Sequence, residues 1–291
     1  MCPQTAGVPF RRLVRLSRPR FWMYAFGPYI VGALIGSPNP RAYLSPLALL
    51  FAAFFLFPAN LLIYGANDIF DYETDVLNLK KRGYESLVPP DERRALWKAI
   101  ALWCVPFIPL LFLTPRTCWL AMGGFLFFSL FYSAPPIRAK SKPILDSAFN
   151  VLYIFPGVFG YFVCGGANFS WPLFGAATLW AMAMHAYSAV PDIDADHEAG
   201  VPTVATLLGL RATLIGCWAF YVLAAVLSFF ALKWLAVVLA LIYSALMIRS
   251  LQVNSQRGVM RVYRVFPVVN AVAGASLWWF AVWQKPSFWP F

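Results

Sequence analysis

Acidic side chains are concentrated where the apolar segment at residues 43–66 ends. Charge at the boundary of a membrane segment is energetically expensive, so it is usually functional. A helix continuing through this run would place Asn67, Asp71 and Asp75 near one stripe, because they are four residues apart, with Asp68 one position to the side. Mg²⁺ takes one or two carboxylates from a protein and fills its remaining positions with water and phosphate oxygens. The spacing therefore predicts a magnesium site.

A second acidic cluster follows another apolar segment, at residues 171–190. Asp192 and Asp196 are again four residues apart. Two carboxylate patches at the ends of membrane helices would hold two Mg²⁺ ions and clamp a diphosphate between them, which neutralises the charge that builds on a leaving group. The alternative is that both patches are ordinary solvated helix ends. That interpretation does not account for the recurrence of the four-residue spacing.

The composition is that of an integral membrane protein. Of the 291 residues, 61% are hydrophobic and 12% are charged, with a mean hydropathy of +0.67, whereas about a quarter of a soluble domain is charged. Segments of about 20 apolar residues cross a bilayer as helices. Nine are predicted, at residues 21–36, 43–66, 96–113, 118–134, 147–165, 171–190, 213–232, 234–248 and 265–283. We predict an all-α, multi-pass bundle of nine transmembrane helices around a lipid-accessible cavity, forming one domain over residues 1–291 without a removable signal peptide.

The distribution of charge predicts the orientation of these spans. If the tail at residues 1–18 is cytoplasmic, most of the 23 basic residues and all 12 acidic residues fall on the cytoplasmic side, as the positive-inside rule requires. We therefore expect a protein of the cell (inner) membrane whose acidic motifs face the cytoplasm. Since topology accounts for most of the net charge of +11, nucleic-acid binding is not expected.

Cysteine and histidine offer little for a metal centre. The five cysteines have no C-x-x-C spacing, and the two histidines, His185 and His197, are too few to build a histidine metal site. His185 lies inside a predicted span and is interpreted as a hydrogen-bonded interior residue. The magnesium prediction therefore depends on oxygen ligands.

Further motifs accompany the two acidic clusters. They are N-D-x-x-D-x-x-x-D from Asn67, Y-S-A-P-P-I-R-A-K from Tyr132, D-x-x-x-D from Asp192 and A-G-V-P-T-V from Ala199. Together they resemble the UbiA-type intramembrane prenyltransferase superfamily over nearly the whole chain. The resemblance implies Mg²⁺-dependent transfer of an isoprenyl group from its diphosphate to a lipophilic acceptor.

The resemblance also implies roles for individual residues. The metal and diphosphate motifs correspond to Asn67, Asp71, Asp75, Asp192 and Asp196, and Asp68 is counted with the first motif as a catalytic residue. Lys140 matches a lysine of the family that contacts the diphosphate. The basic residues expected to counter the diphosphate charge are Lys80, Lys81, Arg138 and Lys140. His197 departs from the family pattern, because an arginine often follows the second motif.

Other stretches resemble the carotenoid branch of the superfamily, the lycopene elongases, which add five-carbon units to the ends of lycopene on the way to C50 carotenoids. These stretches are S-R-P-R-F-W from Ser17, N-L-K-K-R-G-Y-E from Asn78 and L-D-S-x-x-N from Leu145. The resemblance implies lycopene as the acceptor, with Asp146 and Asn150 as candidate acceptor contacts, and we expect dimethylallyl diphosphate, or a longer allylic diphosphate, as the donor. The 27 Phe, 12 Trp and 13 Tyr are compatible with a long apolar cavity whose ring faces stabilise an allylic cation.

Several other functions stay open on the sequence alone. A UbiA-type enzyme would also fit with a quinone precursor, a tetrapyrrole or a glycerol-ether lipid as the acceptor. CDP-alcohol phosphotransferases use membrane aspartates too, but their D-G-x-x-A-R signature is absent here. A transporter would place its coupling acids at mid-membrane, whereas these acids lie at one face.

Overall fold

The computed structural model describes residues 8–75 and 88–288, with the backbone alone for residues 73–75, and these residues form helices without a strand among them. The α-helices are α1 (Phe10–Leu16), α2 (Met23–Gly36), α3 (Pro40–Tyr43), α4 (Pro46–Leu56), α5 (Pro58–Asp75), α6 (Arg93–Cys104), α7 (Phe107–Leu111), α8 (Arg116–Ser133), α9 (Leu145–Ala148), α10 (Phe155–Val163), α11 (Trp171–Ala189), α12 (Ile193–Glu198), α13 (Val204–Leu232), α14 (Trp234–Val253), α15 (Gln256–Tyr263) and α16 (Phe266–Trp283). Short 3₁₀ helices lie at Pro19–Phe21, Ala139–Ser141, Phe149–Tyr153, Val190–Asp192 and Pro286–Phe288. The predicted all-α fold is confirmed.

Six helical segments in the described part of the chain are long and apolar enough to cross a membrane. They are Pro46–Tyr72, Arg93–Leu111, Trp171–Glu198, Val204–Leu232, Trp234–Val253 and Gln256–Trp283. Of the other predicted spans, the first contains α2, which has only 14 residues. The fourth is α8, which begins at Arg116 and includes several small and polar residues. The fifth divides into a 3₁₀ helix and the nine-residue α10. The protein is a multi-pass membrane protein.

Proline and glycine explain where the predicted spans are interrupted. The span at residues 43–66 divides into α4 and α5 before Pro58, because proline has no backbone N–H to continue the helical hydrogen bonds. Pro106 separates α6 from α7 in the same way. Within α13, Gly209 has φ 73° and ψ 170°, a conformation that glycine tolerates and other residues rarely adopt. The predicted seventh span, which starts at residue 213, therefore follows a kink.

Side-chain caps fix the starts of several helices. Ser45, Ser170 and Ser255 each accept a hydrogen bond from the backbone N–H three residues later. Thr203 and Thr206 form a reciprocal capping box at the start of α13. Because Thr203 comes seven residues after Asp196, this cap fixes where α13 begins after the second acidic motif.

Helices α2 and α10 pack through glycines at backbone contact. A Cβ atom added at Gly32 would overlap the carbonyl oxygen of Gly157, and one added at Gly36 would overlap the carbonyl oxygen of Tyr161. Small residues at a helix interface let two backbones approach this closely in a membrane protein. This contact holds α2 beside α10, near the elements that carry the site.

We expect Gly32→Ala to lower the thermal stability of the protein, because the added methyl group must push α2 and α10 apart. Overpacking of this kind costs about 1–3 kcal/mol. The matched control is Gly27→Ala in the same helix, where an added Cβ would meet no atom within 4 Å. The measurement is the apparent melting temperature of both purified variants in detergent. Equal melting temperatures would contradict the close packing of these two helices.

Candidate active site

Helix α5 carries the whole of the first acidic motif. Because α5 extends from Pro58 to Asp75, Asn67, Asp71 and Asp75 lie on successive turns of one helix, as predicted. Asp68 and Asp71 are buried, with exposed fractions of 6% and 2%. A buried carboxylate is costly unless it is paired or hydrogen-bonded. The partners of these two acids therefore indicate how the site is organised.

Each of the two buried carboxylates has a basic partner from a distant part of the chain. Arg18 Nη2 donates a hydrogen bond to Asp68 Oδ1 at 2.7 Å, and the Arg18 guanidinium lies 5.1 Å from the ring centroid of Tyr64. Lys140 Nζ forms an ion pair with Asp71 Oδ1. The N-terminal segment and the loop after α8 therefore balance the charge of the first motif.

The loop after α8 brings the predicted diphosphate contacts beside this motif. Arg138 has a left-handed backbone conformation, with φ 47° and ψ 55°, and its Nη2 donates to the carbonyl oxygen of Phe70 at 3.4 Å. The following 3₁₀ turn presents Lys140 to Asp71. Ser133 Oγ, at the end of α8, donates to Asn67 Oδ1 at 3.3 Å. The other two predicted contacts, Lys80 and Lys81, lie outside the described residues.

The second motif lies where α11 gives way to α12. Asp192 closes the 3₁₀ turn that follows α11, and Asp196 lies one turn later in α12. Both carboxylates are half-buried, whereas the intervening Asp194 is exposed. The i, i+4 pair therefore faces the protein, while the third acid of the cluster faces away.

Tyr132 interacts with acidic residues of both motifs. This tyrosine, near the end of α8, is close enough to Asp71, Asp196 and Asp146 to interact electrostatically with each of them. Such interactions weaken with distance, so each of these acids lies in the neighbourhood of Tyr132. Both motifs therefore have an acidic residue near the end of α8.

The oxygen donors of this region suit a hard divalent cation. The Asn67 amide and the Asp71 carboxylate offer the kind of oxygen that Mg²⁺ prefers, and Asp71 already holds a cationic group, the Lys140 ammonium. The described residues contain no group of three or more His, Cys, Asp or Glu side chains placed to hold a metal ion. The side chain of Asp75 is not among the described side chains. Phosphate and water oxygens would complete the coordination, as is usual for Mg²⁺.

The two candidate acceptor contacts belong to an internal hydrogen-bond network at the start of α9. Asp146 is completely buried, and its Oδ2 accepts a hydrogen bond of 2.8 Å from the backbone N–H of Val204. Burial raises the pKa of the Asp146 carboxyl, and the Val204 amide opposes that shift. Asn150 Nδ2 donates to the carbonyl oxygen of Asp146 at 2.7 Å. These residues connect α9 to the start of α13.

The sequence does not single out Arg18 as a site residue. It is one of several arginines in the N-terminal segment, and no local spacing relates it to Asp68, which is 50 residues away. Its only signal is its place in the S-R-P-R-F-W stretch, which resembles the family. Tyr132 has the same kind of signal, since it begins Y-S-A-P-P-I-R-A-K.

Comparisons with known proteins agree with this geometry. The model of the UbiA prenyltransferase family matches residues 25–280. The lycopene elongase/hydratase of Haloferax volcanii is 38% identical over 281 residues, covering 94% of this chain and 89% of the relative. The lycopene elongase/hydratase of Corynebacterium glutamicum is 33% identical over 225 residues, covering 74% of this chain and 76% of the relative. A UbiA homolog from Archaeoglobus fulgidus, solved with DMAPP and Mg²⁺, has a TM-score of 0.63 at 21% identity, covering 91% of this chain and 98% of that one.

The matched region includes both acidic motifs and the loop that carries Lys140, whereas Arg18 lies just before it. The match extends over most of the helical bundle, and the related sequences align along most of their own length. The chain therefore belongs to the UbiA prenyltransferase family and is a prenyltransferase similar in sequence to the lycopene elongases.

Proposed function

We propose that this protein transfers a dimethylallyl group from its diphosphate to an end of lycopene, as a step in the biosynthesis of C50 carotenoids. The observation that supports the proposal is that Lys140 pairs with Asp71 of the first motif, while Tyr132 interacts electrostatically with both Asp71 and Asp196 of the second. The choice of acceptor is supported by relatives 33–39% identical that are named lycopene elongase/hydratase. The choice of donor is supported by the fold neighbour solved with DMAPP and Mg²⁺.

The acidic motifs and the basic loop would hold the diphosphate of the donor. The residues proposed to hold two Mg²⁺ ions are Asn67, Asp71, Asp75, Asp192 and Asp196. Bound Mg²⁺ would neutralise the negative charge that develops on the leaving diphosphate. Lys140 would exchange its carboxylate partner, Asp71, for a phosphate oxygen of the donor, and Arg138 lies beside it. Lys80 and Lys81 are proposed as further contacts.

An aromatic lining next to Arg18 and Asp68 would stabilise the allylic cation that forms when the diphosphate leaves. The hydroxyl groups of Tyr64 and Tyr153 are 3.0 Å apart, and the rings of Phe21 and Tyr24 lie within about 6 Å of this pair. Ring faces attract cations through their quadrupole. Exclusion of bulk water protects the cation until a double bond of the acceptor attacks it.

The proposed topology has nine membrane crossings, with the N-terminal tail and both acidic motifs in the cytoplasm. Six apolar helices support most of these crossings. Helices α2, α8 and α10 lie at the other three predicted positions. The positive charge of the cytoplasmic segments supports the orientation. In this arrangement one domain, embedded in the cell membrane, receives the carotenoid from the bilayer and the diphosphate from the cytoplasm.

Replacement of Lys140 by alanine should raise the KM for dimethylallyl diphosphate more than the KM for lycopene. The loss of one charge-assisted contact is worth about 1.5–3 kcal/mol, or roughly one to two decades in affinity. The matched control is Lys142→Ala, because Lys142 is exposed in the same loop. Steady-state kinetics with each substrate varied in turn would measure both constants. An unchanged donor KM with impaired use of the acceptor would move Lys140 out of the diphosphate site.

The proposed reaction is tested by expression of the chain in a host that accumulates lycopene. Mass spectrometry of the extracted pigments should then show carotenoids with one and two additional five-carbon units. The Asp71→Asn variant serves as the negative control for products made by the host. If lycopene alone is recovered from cells whose membranes contain the protein, the proposed acceptor is wrong.

A further inference from the structure

A buried carboxylate and a histidine that belong to neither acidic motif lie close together. His185 Nε2, on α11, is 3.8 Å from Asp146 Oδ2, on α9. The Asp146 side chain has no exposed surface, whereas His185 retains 20% of its own. Asp146 therefore cannot contact a substrate directly, but the imidazole can.

His185 lies on α11, which precedes the second motif. It comes seven residues before Asp192, and the 3₁₀ turn at Val190–Asp192 follows the end of α11. Seven residues correspond to about 10 Å along the axis, so His185 lies about two turns farther from the acidic end of the bundle. The His185 ring also meets the ring of Tyr132 edge to face, with centroids 6.0 Å apart. The imidazole is therefore on the membrane side of the site proposed for the diphosphate.

The environment of His185 differs from that of a structural histidine. Within the described residues, neither ring nitrogen makes a hydrogen bond of ordinary length, and the 3.8 Å contact with Asp146 exceeds hydrogen-bond distance. His185 lies largely inside the protein, as predicted, but the predicted hydrogen bond to its ring is not made by any described residue. Asp146 Oδ1 is also buried and lacks a well-aligned hydrogen bond there. A ring nitrogen of His185 is therefore available to accept a proton from a bound substrate.

The proposed reaction releases a proton from the carotenoid, and a group near the reacting double bond must accept that proton. When the acceptor double bond attacks the allylic cation, a carbon–carbon bond forms and a tertiary cation remains on the carotenoid. That cation is discharged by loss of a proton from a neighbouring carbon, or by addition of water followed by loss of a proton from the added oxygen. The proton is strongly acidic in either case, so a neutral imidazole is a sufficient base. A phenol such as that of Tyr132 is a much weaker proton acceptor.

We propose that His185 is the base that accepts this proton, and that Asp146 positions the imidazole and stabilises its protonated form. This inference rests on the proposed function. On proton loss from carbon, the electrons of the C–H bond form the new double bond, and the proton moves to the ring nitrogen that does not face Asp146. On hydration, the same nitrogen takes the proton from the added water. The imidazolium then forms an ion pair with Asp146, whose Oδ2 is held by the Val204 amide.

The test measures elongated carotenoid formed per diphosphate released, using purified protein in lipid with dimethylallyl diphosphate, Mg²⁺ and lycopene. In the His185→Ala variant this ratio should fall roughly a hundredfold or more, the scale of a positioned base, while donor KM stays near the wild-type value. Added imidazole should restore the ratio in His185→Ala but not in His185→Gln, which fills the cavity. Asp146→Asn keeps an oxygen for the Val204 amide and should lower the ratio without a change in donor KM.

The matched control is His197→Ala, since His197 is the other histidine of the chain and is exposed. It should retain the wild-type ratio. If His185→Ala and His185→Gln also retain that ratio while the wild type elongates lycopene, the role of His185 is excluded and the proposed function stands. If the wild type releases diphosphate without elongating lycopene, the proposed function fails, and this inference fails with it.

Discussion

Replacement of Asp71 by asparagine should abolish prenyl transfer while the protein remains folded in the membrane. Asp71 is 2% exposed and pairs with Lys140, so the substitution keeps the size of the side chain and removes its charge. It removes the negative charge of a proposed metal ligand and the carboxylate that pairs with Lys140. Loss of one preorganised electrostatic contact typically costs about 10²–10³ in rate. Turnover of purified protein, with membrane insertion measured in parallel, checks this result, and Asp192→Asn should behave in the same way.

The matched control is Asp194→Asn. Asp194 lies between Asp192 and Asp196 in the sequence but is exposed, so the loss of its charge should leave turnover near the wild-type value. A general effect of acidic charge at the membrane surface would instead reduce all the variants alike. Near-normal turnover of Asp71→Asn with Mg²⁺ present would contradict the role proposed for the first motif.

Removal of divalent cations should have an effect as large as the loss of either motif. EDTA is expected to stop transfer completely, and excess Mg²⁺ should restore it, because the proposed ligands are hard oxygens that need phosphate oxygens to complete the coordination. Binding of labelled dimethylallyl diphosphate should weaken in parallel with activity. Transfer that continues at full rate in EDTA would exclude the metal-assisted departure of the diphosphate.

Local spacing was sufficient to predict how each acidic motif is arranged. The i, i+4, i+8 pattern requires a helix that continues through residue 75, and α5 does so. The same periodicity selects Asp192 and Asp196 over Asp194, and the structure leaves Asp194 exposed. These predictions succeeded because helical geometry alone relates the residues to one another.

Contacts between distant segments could not be predicted from periodicity. Nothing in the spacing of residues brings Arg18 to Asp68, or Asp146 to the Val204 amide. These contacts depend on how the helices pack, and packing also determines that His185 faces Asp146. The predicted number of crossings exceeds the six long apolar helical segments among the described residues, because the helices at three of the nine predicted spans, α2, α8 and α10, are too short or too polar to be counted among them.

The most direct test of the central claim uses the purified protein in lipid with dimethylallyl diphosphate, Mg²⁺ and lycopene. We expect products heavier by one and then by two five-carbon units, because lycopene has two equivalent ends and the proposed lipid-accessible cavity would let the product re-enter reversed. Mass spectrometry over the time course would show the two products in that order. Lycopene returned unmodified, while an aromatic acceptor such as 4-hydroxybenzoate is prenylated under the same conditions, would show that the acceptor is not a carotenoid.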